Sequence, residues 1–266
     1  MTLSNASFEA VTEMFARVSG IRLGPAKKPL VEGRLQRMAQ EAGHERLDDY
    51  VRLLLAGRDE AELTRVIDKL TTNETYFFRE PQHFDFLQQQ LREHRPMQAL
   101  QVWSAASSSG EEAYSIAMLL ADELGRQDWS VVGTDLSTTM VQQAQRGLYT
   151  MERARNLTQA QLKRYCLRGE GPYEGQLLIQ RSLRERVSFR SANLTQEMPR
   201  GLGQFDVIFL RNVLIYFDPP GKAAIVRRVL GHLKPHGTLY TGHAESLANL
   251  DVPVRAVTTA VYSHAA

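Results

Sequence analysis

The chain has 266 residues, 43% of them hydrophobic, with 32 basic against 30 acidic side chains and a net charge of +2. That length fits two domains, and the balanced charge excludes the dense basic face of a nucleic-acid binder. One cysteine, Cys166, excludes an internal disulfide, and no set of histidines has zinc-ligand spacing, so no metal is expected. No apolar run of about eighteen residues occurs and Met1 to Ala10 lack a leader pattern, so a cytoplasmic protein without membrane insertion is expected.

From Phe8 to Leu70 apolar residues recur at helical spacing, through Phe15, Leu35, Leu54 and Ile67, and predict a bundle of about four helices broken at Gly20, Gly24-Pro25, Gly43 and Gly57. After Thr71-Thr72-Asn73 comes an aromatic stretch, Tyr76-Phe77-Phe78, and then Glu80-Pro81, where proline opens a helix expected to reach His94. Beyond Met97 short apolar runs alternate with helical patterns: a strand at Leu100 to Ala105, a helix to Leu124, a strand at Ser130 to Thr134 and a helix to Gly147. This is the rhythm of a parallel sheet covered by helices. It pauses over about 150–183, where Gly169, Gly171, Pro172 and Gly175 predict an inserted β-hairpin or small sheet. Strands resume at Val187 to Arg190 and Val207 to Leu210, a helix follows from Pro220 to about Leu233, and strands at Thr238 to Thr241 and Val257 to Tyr262 close the sheet.

Two positions in this rhythm suit a ligand. The first strand runs into Ala106-Ser107-Ser108-Ser109-Gly110, a small-residue turn at the edge where α/β sheets bind nucleotides. It has no G-x-G-x-x-G and no P-loop lysine, so phosphate need not be involved. The competing structural role is a capping box, Ser109 with Glu112. The second strand ends in Asp135, suited to ribose hydroxyls; its structural alternative is capping the next helix, as Asp135 or Ser137 could. On these residues alone, methyl donor and nicotinamide remain unseparated.

Three longer segments separate them: 71–80 (TTNETYFFRE), 103–112 (WSAASSSGEE) and 205–217 (FDVIFLRNVLIYF). With Arg168-Gly169-Glu170-Gly171-Pro172, Ala192-Asn193-Leu194 and Thr241-Gly242-His243-Ala244-Glu245-Ser246, they closely resemble the chemotaxis-receptor glutamate methyltransferases, the CheR family, from about Arg17 to Tyr262. The resemblance implies an α/β fold: a small all-α N-terminal domain (1–72), a Rossmann-like S-adenosylmethionine-dependent methyltransferase domain (73–266), and an inserted antiparallel β-subdomain. It implies S-adenosylmethionine as cofactor, with S-adenosylhomocysteine as product, held by Asn73, Thr75, Arg79, Glu112, Asp135, Asn193, Leu194, Asn212 and Val213. Glu112 is expected to meet the methionine ammonium and Asp135 the ribose, while Arg79 and Tyr216 orient the acceptor carboxylate.

The resemblance also implies a partner, the cytoplasmic domains of bacterial chemoreceptors. Arg17, Arg22, Lys27, Lys28, Arg34 and Arg37 against Glu32 give a local excess of five positive charges, and Arg34 and Arg37, three apart on one helix, are candidates to face an acidic receptor. A solvated face is the plain alternative. Gly169, Gly171 and Gly175 mark the version of the β-subdomain that in some family members docks a C-terminal receptor peptide by strand addition. A monomer is expected. Two other functions stay open on the sequence: methylation of a different acceptor, and a noncatalytic cofactor-binding sensor.

Overall fold

The computed structural model describes residues 1–57, 59–125 and 127–265; Ala266, the expected end of the methyltransferase domain, lies outside the described residues. The chain packs as two units: Met1–Thr72, which also takes in Tyr216–Gly221, and Asn73–Ile215 with Lys222–Ala266.

In the helical unit, apolar spacing becomes four α-helices among the described residues: α1 (Asn5–Ser19), α2 (Lys28–Glu41), α3 (Leu47–Leu55) and α4 (Glu60–Leu70). Their ends follow local chemistry. Ser4 caps α1 by accepting from Ser7 N, and Gly20 in the left-handed region closes it on the Ala16 carbonyl. Asp59 caps α4 through Glu62 N. Phe8, Val11 and Phe15 of α1, Val31 and Leu35 of α2, Leu47 and Val51 of α3 and Val66 of α4 form the buried faces. Each large apolar side chain so buried contributes roughly 1.5 to 3 kcal/mol before chain entropy is counted.

The second unit opens with α5 (Pro81–Glu93) and then alternates β1 (Leu100–Ser104), α6 (Glu111–Leu124), β2 (Trp129–Asp135) and α7 (Thr138–Arg146). The insertion follows: β3 (Leu148–Thr150), α8 (Gln159–Tyr165), β4 (Cys166–Arg168) and β5 (Gln176–Ile179), with the short α9 (Arg181–Arg184) leading back to β6 (Val187–Ser191). Then come β7 (Phe205–Leu210), α10 (Pro219–Leu230), β8 (Leu233–Thr241), β9 (Val254–Thr258) and β10 (Val261–His264). The main sheet has strand order β6-β2-β1-β7-β8-β10-β9, and the insertion forms a separate sheet in the order β3-β5-β4. Pairing is parallel from β6 through β8 and antiparallel at β10 and β9 and throughout the small sheet. The fold is thus α/β with an all-α N-terminal part and an inserted antiparallel sheet.

β1 lies between β2 and β7, with Val102 opposite Val131 on one side and Val207 on the other. That change of winding direction opens a crevice beyond the carboxyl ends of these strands. Behind it Val102, Val131, Phe209 and Ile116 are fully buried, and Phe209 stacks on Tyr240 with ring centroids 4.6 Å apart.

Three local expectations differ from the structure. The closing strand expected at Val257 to Tyr262 is two strands, turned about Ala260 at φ 59°. The helix expected to reach Leu233 ends at Leu230, and Leu233 already starts β8. The insertion contains α8 as well as its sheet, begun by a capping box between Thr158 and Gln161. Among the described residues no helix is long and apolar enough to cross a membrane.

Candidate active site at the carboxyl edge of the sheet

The turn after β1 is held in a shape that few residues adopt. Ser108 sits at φ 47° and Gly110 at φ 97°. A Cβ on Gly110 would lie 2.8 Å from the Ala144 Cβ and 2.9 Å from the Tyr149 hydroxyl, so glycine is required there for conformation and for space. Gly110 caps α6 with no side-chain bond, and Glu112 turns away from the helix end, so the competing capping box of Ser109 with Glu112 does not form. The reason is a stronger partner: Arg211 donates to Glu112 Oε2 at 2.8 Å, while Ser104 donates to Oε1 at 2.7 Å.

Asp135, at the end of β2, holds this turn from the next strand. Its Oδ2 accepts from Ser108 N at 2.8 Å and its Oδ1 from Ser137 N at 2.9 Å, while Ser137 caps α7. Of the two residues weighed for the helix cap, Ser137 supplies it. Asn73 meets the same turn, its carbonyl accepting from Ser108 Oγ at 3.2 Å. Thr75 is half-buried nearby in sequence. Arg79 donates to the Glu74 carbonyl at 2.8 Å, and its guanidinium lies 5.8 Å from the Tyr76 ring centre.

Arg211 is the hub. Its side chain is 0% exposed, and besides Glu112 it donates to Glu80 Oε2 at 3.1 Å and to the Arg79 carbonyl. Glu80 also accepts from Asn212 Nδ2 at 3.0 Å and His243 N at 3.3 Å. Glu245 completes the net from the far side, taking Asn212 N at 2.6 Å, Gly242 N at 2.8 Å and Ile215 N at 3.2 Å. Among the described residues, five non-glycine residues have positive φ, and Phe78, Glu80, Ser108 and Asn212 are four of them. Such strain persists only where surrounding contacts over-determine it, and it clusters at functional sites.

Electrostatics follow the packing. Burial pushes the Glu112 carboxyl up, and Arg211 and Ser104 oppose that rise. Burial acts on Glu80 as well, but hydrogen bonds from Asn212 and the Arg211 charge outweigh it and leave this carboxyl below its ordinary value. His83, Glu80 and His243 bring ligand-type atoms within 4.8 Å of one another. Arg211 already pairs with Glu80 there, and burial together with Arg211 holds the His83 imidazole down at about 4.

Asn193 Oδ1 turns the chain after β6, accepting from Thr195 N at 3.0 Å, and the Leu194 carbonyl accepts from Arg228 at 2.7 Å. Val213 is half-buried next to Asn212. Tyr216 belongs to the segment that packs with the helical unit, where it acts electrostatically on Arg34. Arg34 itself donates to the Leu70 carbonyl at 2.7 Å and the Thr71 carbonyl at 3.3 Å, capping the end of α4, and burial lowers its pKa. Arg37 is exposed and pairs with Glu41 at 2.9 Å. In the insertion, Gly169 N donates to Gln176 O at 2.9 Å, and a Cβ there would fall 2.0 Å from the Tyr173 carbonyl. Gly171 and Gly175 take φ 58° and 78° with open space around them.

Arg211, Glu80, Glu245 and Ser104 had no role assigned from sequence. All four sit inside the motifs named from sequence, and the available signal was Arg211, a charged residue within the apolar run 207–217.

Comparison with known proteins matches residues 73–262 to the family described as CheR methyltransferase, SAM binding domain, and residues 6–71 to the CheR methyltransferase all-alpha domain. The chemotaxis protein methyltransferases of Salmonella typhimurium and Escherichia coli are each 40% identical to the chain, over 94% of its length and 87% and 88% of theirs. Chemotaxis protein methyltransferase 2 of Pseudomonas aeruginosa is 38% identical over 97% of this chain and 92% of its own.

Proposed function

The chain belongs to the CheR methyltransferase family and uses S-adenosylmethionine, and from that premise we propose that it esterifies glutamate side chains on the cytoplasmic domains of bacterial chemoreceptors. The observation that carries this reading is the convergence at one sheet edge of segments far apart in sequence: Arg79 and Glu80, the Ser107–Gly110 turn with Glu112, Asp135, and Arg211 with Asn212. In this reading Asn73, Thr75, Arg79, Asp135, Asn193, Leu194, Asn212 and Val213 line the cofactor. Glu112 keeps lone pairs free beside its bonds to Arg211 and Ser104, and these receive the methionine ammonium.

A glutamate is already ionised at neutral pH, so its attack on the sulfonium methyl needs no general base. The C–O bond forms as the S–C bond breaks, the electron pair stays on sulfur, and two opposite charges vanish. A site that excludes water and aligns the two reactants therefore supplies most of the catalysis, with orientation worth roughly 7 to 11 kcal/mol. Arg79 orients the acceptor carboxylate by charge-assisted hydrogen bonds, and the Tyr216 hydroxyl assists at the transfer centre. Arg37 and the β-subdomain, with Gly169, Gly171 and Gly175 shaping its turn, supply receptor contacts. The Arg34 contacts favour a share for that residue in ordering α2 against α4.

The test is transfer of labelled methyl to cytoplasmic receptor fragments followed by alkali. Release of volatile methanol identifies a carboxyl ester; alkali-stable label moves the acceptor to another group. In the same assay Arg79→Ala is expected to lower kcat/KM by at least about a hundredfold, and Tyr216→Phe more modestly. Full activity in either variant removes that residue from the mechanism.

A further inference from the structure

The first turn of the insertion reaches back to the cofactor edge. Three residues beyond the end of β3, Arg153 donates to Ser109 Oγ at 2.7 Å and pairs with the carboxylate of Glu111. Glu111 is 0% exposed, and its other oxygen accepts from the same Ser109 hydroxyl at 2.7 Å. Within β3 itself, Tyr149 donates its hydroxyl to the Ser109 carbonyl at 2.7 Å. Farther along, Asn156 donates to the Phe77 carbonyl at 3.2 Å. Both segments gripped in this way, 107–110 and 76–80, contain left-handed non-glycine residues, so each needs outside contacts to keep its shape.

A carboxylate buried as Glu111 is tolerates its position only with a cation and hydrogen bonds. Arg153 is that cation, and it comes from the insertion. We propose that Arg153, paired with Glu111, is a positioning residue for methyl transfer: it fixes the Ser107–Gly110 turn in the shape that receives S-adenosylmethionine, making the root of the inserted sheet part of the cofactor site. Without Arg153, Glu111 must take up a proton or turn away, and Ser109 loses the Arg153 bond and, where Glu111 turns away, that partner as well. The Ser108 N–H, one residue along, then loses its alignment on Asp135.

This inference rests on reading the turn as the cofactor contact, so one experiment addresses both. Binding of S-adenosylhomocysteine is measured by calorimetry for the full chain carrying Arg153→Met, Arg153→Lys, Glu111→Gln, the Glu111→Gln/Arg153→Met pair, and Asp135→Ala. Steady-state methyl transfer to receptor fragments and melting temperature are recorded alongside. Arg153→Met is expected to raise Kd and the KM for S-adenosylmethionine roughly tenfold, the scale of one buried charge-assisted contact, with kcat at saturating cofactor nearly unchanged. The double variant should recover much of that loss, because removing both partners leaves no stranded charge. An unchanged Kd in Arg153→Met overturns the inference. So does a lowered kcat and melting temperature at constant KM, or a double variant no better than the single. Arg153→Lys keeps the charge and is expected to hold KM near wild type; if Arg153→Met does not fold, Arg153→Gln takes its place, a raised KM supporting the role and a wild-type KM removing it. If Asp135→Ala binds normally, the reading of the turn itself fails; if Asp135→Ala loses binding and Arg153→Met does not, only the role of Arg153 fails.

Discussion

Arg211 and Arg65 each hold two carboxylates at similar distances. Arg211 lies 2.8 Å from Glu112 and 3.1 Å from Glu80; Arg65 lies 2.7 Å from Glu62 and 2.9 Å from Glu41. Their surroundings differ, for the Arg211 side chain is 0% exposed and that of Arg65 is 52% exposed. In water the attraction is screened and two long side chains must be ordered to obtain it, so an exposed pair contributes about 0 to 1 kcal/mol. Out of water the attraction is stronger, but three charges have been desolvated, and a buried ion network is weak evidence of added stability. The lesson is that the Arg211 network is better understood as holding Glu112 and Asn212 in place than as holding the fold together.

Removing Arg211 tests that most severely. Arg211→Met keeps the bulk over Phe84 and Phe209, on which the guanidinium lies at 5.6 and 5.8 Å, but strands both Glu80 and Glu112. A loss of about 3 to 5 kcal/mol is expected by chemical denaturation, together with loss of cofactor binding by calorimetry. Adding Glu112→Gln should restore part of the stability and none of the binding. A loss under about 1 kcal/mol would mean that the buried network behaves like the surface one.

The same buried charge acts on His83, which is 2% exposed. Burial, then Arg211 and His243, hold its imidazole at about 4, against an ordinary 6.5. The folded state therefore binds fewer protons than the unfolded one between these values, so stability is full above pH 6.5 and falls as pH drops toward 4. The span corresponds to about 3 kcal/mol at most. In His83→Leu the stability curve should be flatter over that window; parallel curves for the two proteins would show that His83 does not titrate differently on folding.

Legibility followed how local each cause was. Strands β1, β2 and β7 carry short apolar runs between helical patterns, and α1 ends on the glycine that closes it, so both read directly from sequence. The β9–β10 turn was missed because Ala260 takes φ 59° without a glycine or proline to mark it. The α8 helix was missed although Thr158 and Gln161 spell its capping box. The same logic misled at Glu112, whose decisive partner, Arg211, is 99 residues away. Site segments were visible as motifs, whereas the pairings inside them were not. Arg34 is the plainest case: its place in a basic run suggested a free surface, while its hydrogen bonds go to carbonyls 36 and 37 residues downstream.

The smallest expected effect comes from the surface member of the comparison. Arg65→Ala removes two ion pairs of good geometry, yet both partners keep access to solvent or to other donors: Glu41 retains Arg37 at 2.9 Å, and Glu62 retains the Tyr50 hydroxyl at 2.6 Å. No charge is stranded, so the loss should be below about 1 kcal/mol. It should shrink further as salt shortens the screening length from about 10 Å at 0.1 M to about 3 Å at 1 M. Denaturation of Arg65→Ala and the parent at both salt concentrations measures this. A loss that stays large at high salt would trace to the aliphatic stem of Arg65 packing on its neighbours rather than to its charge, and burial alone would then no longer account for the difference between Arg65 and Arg211.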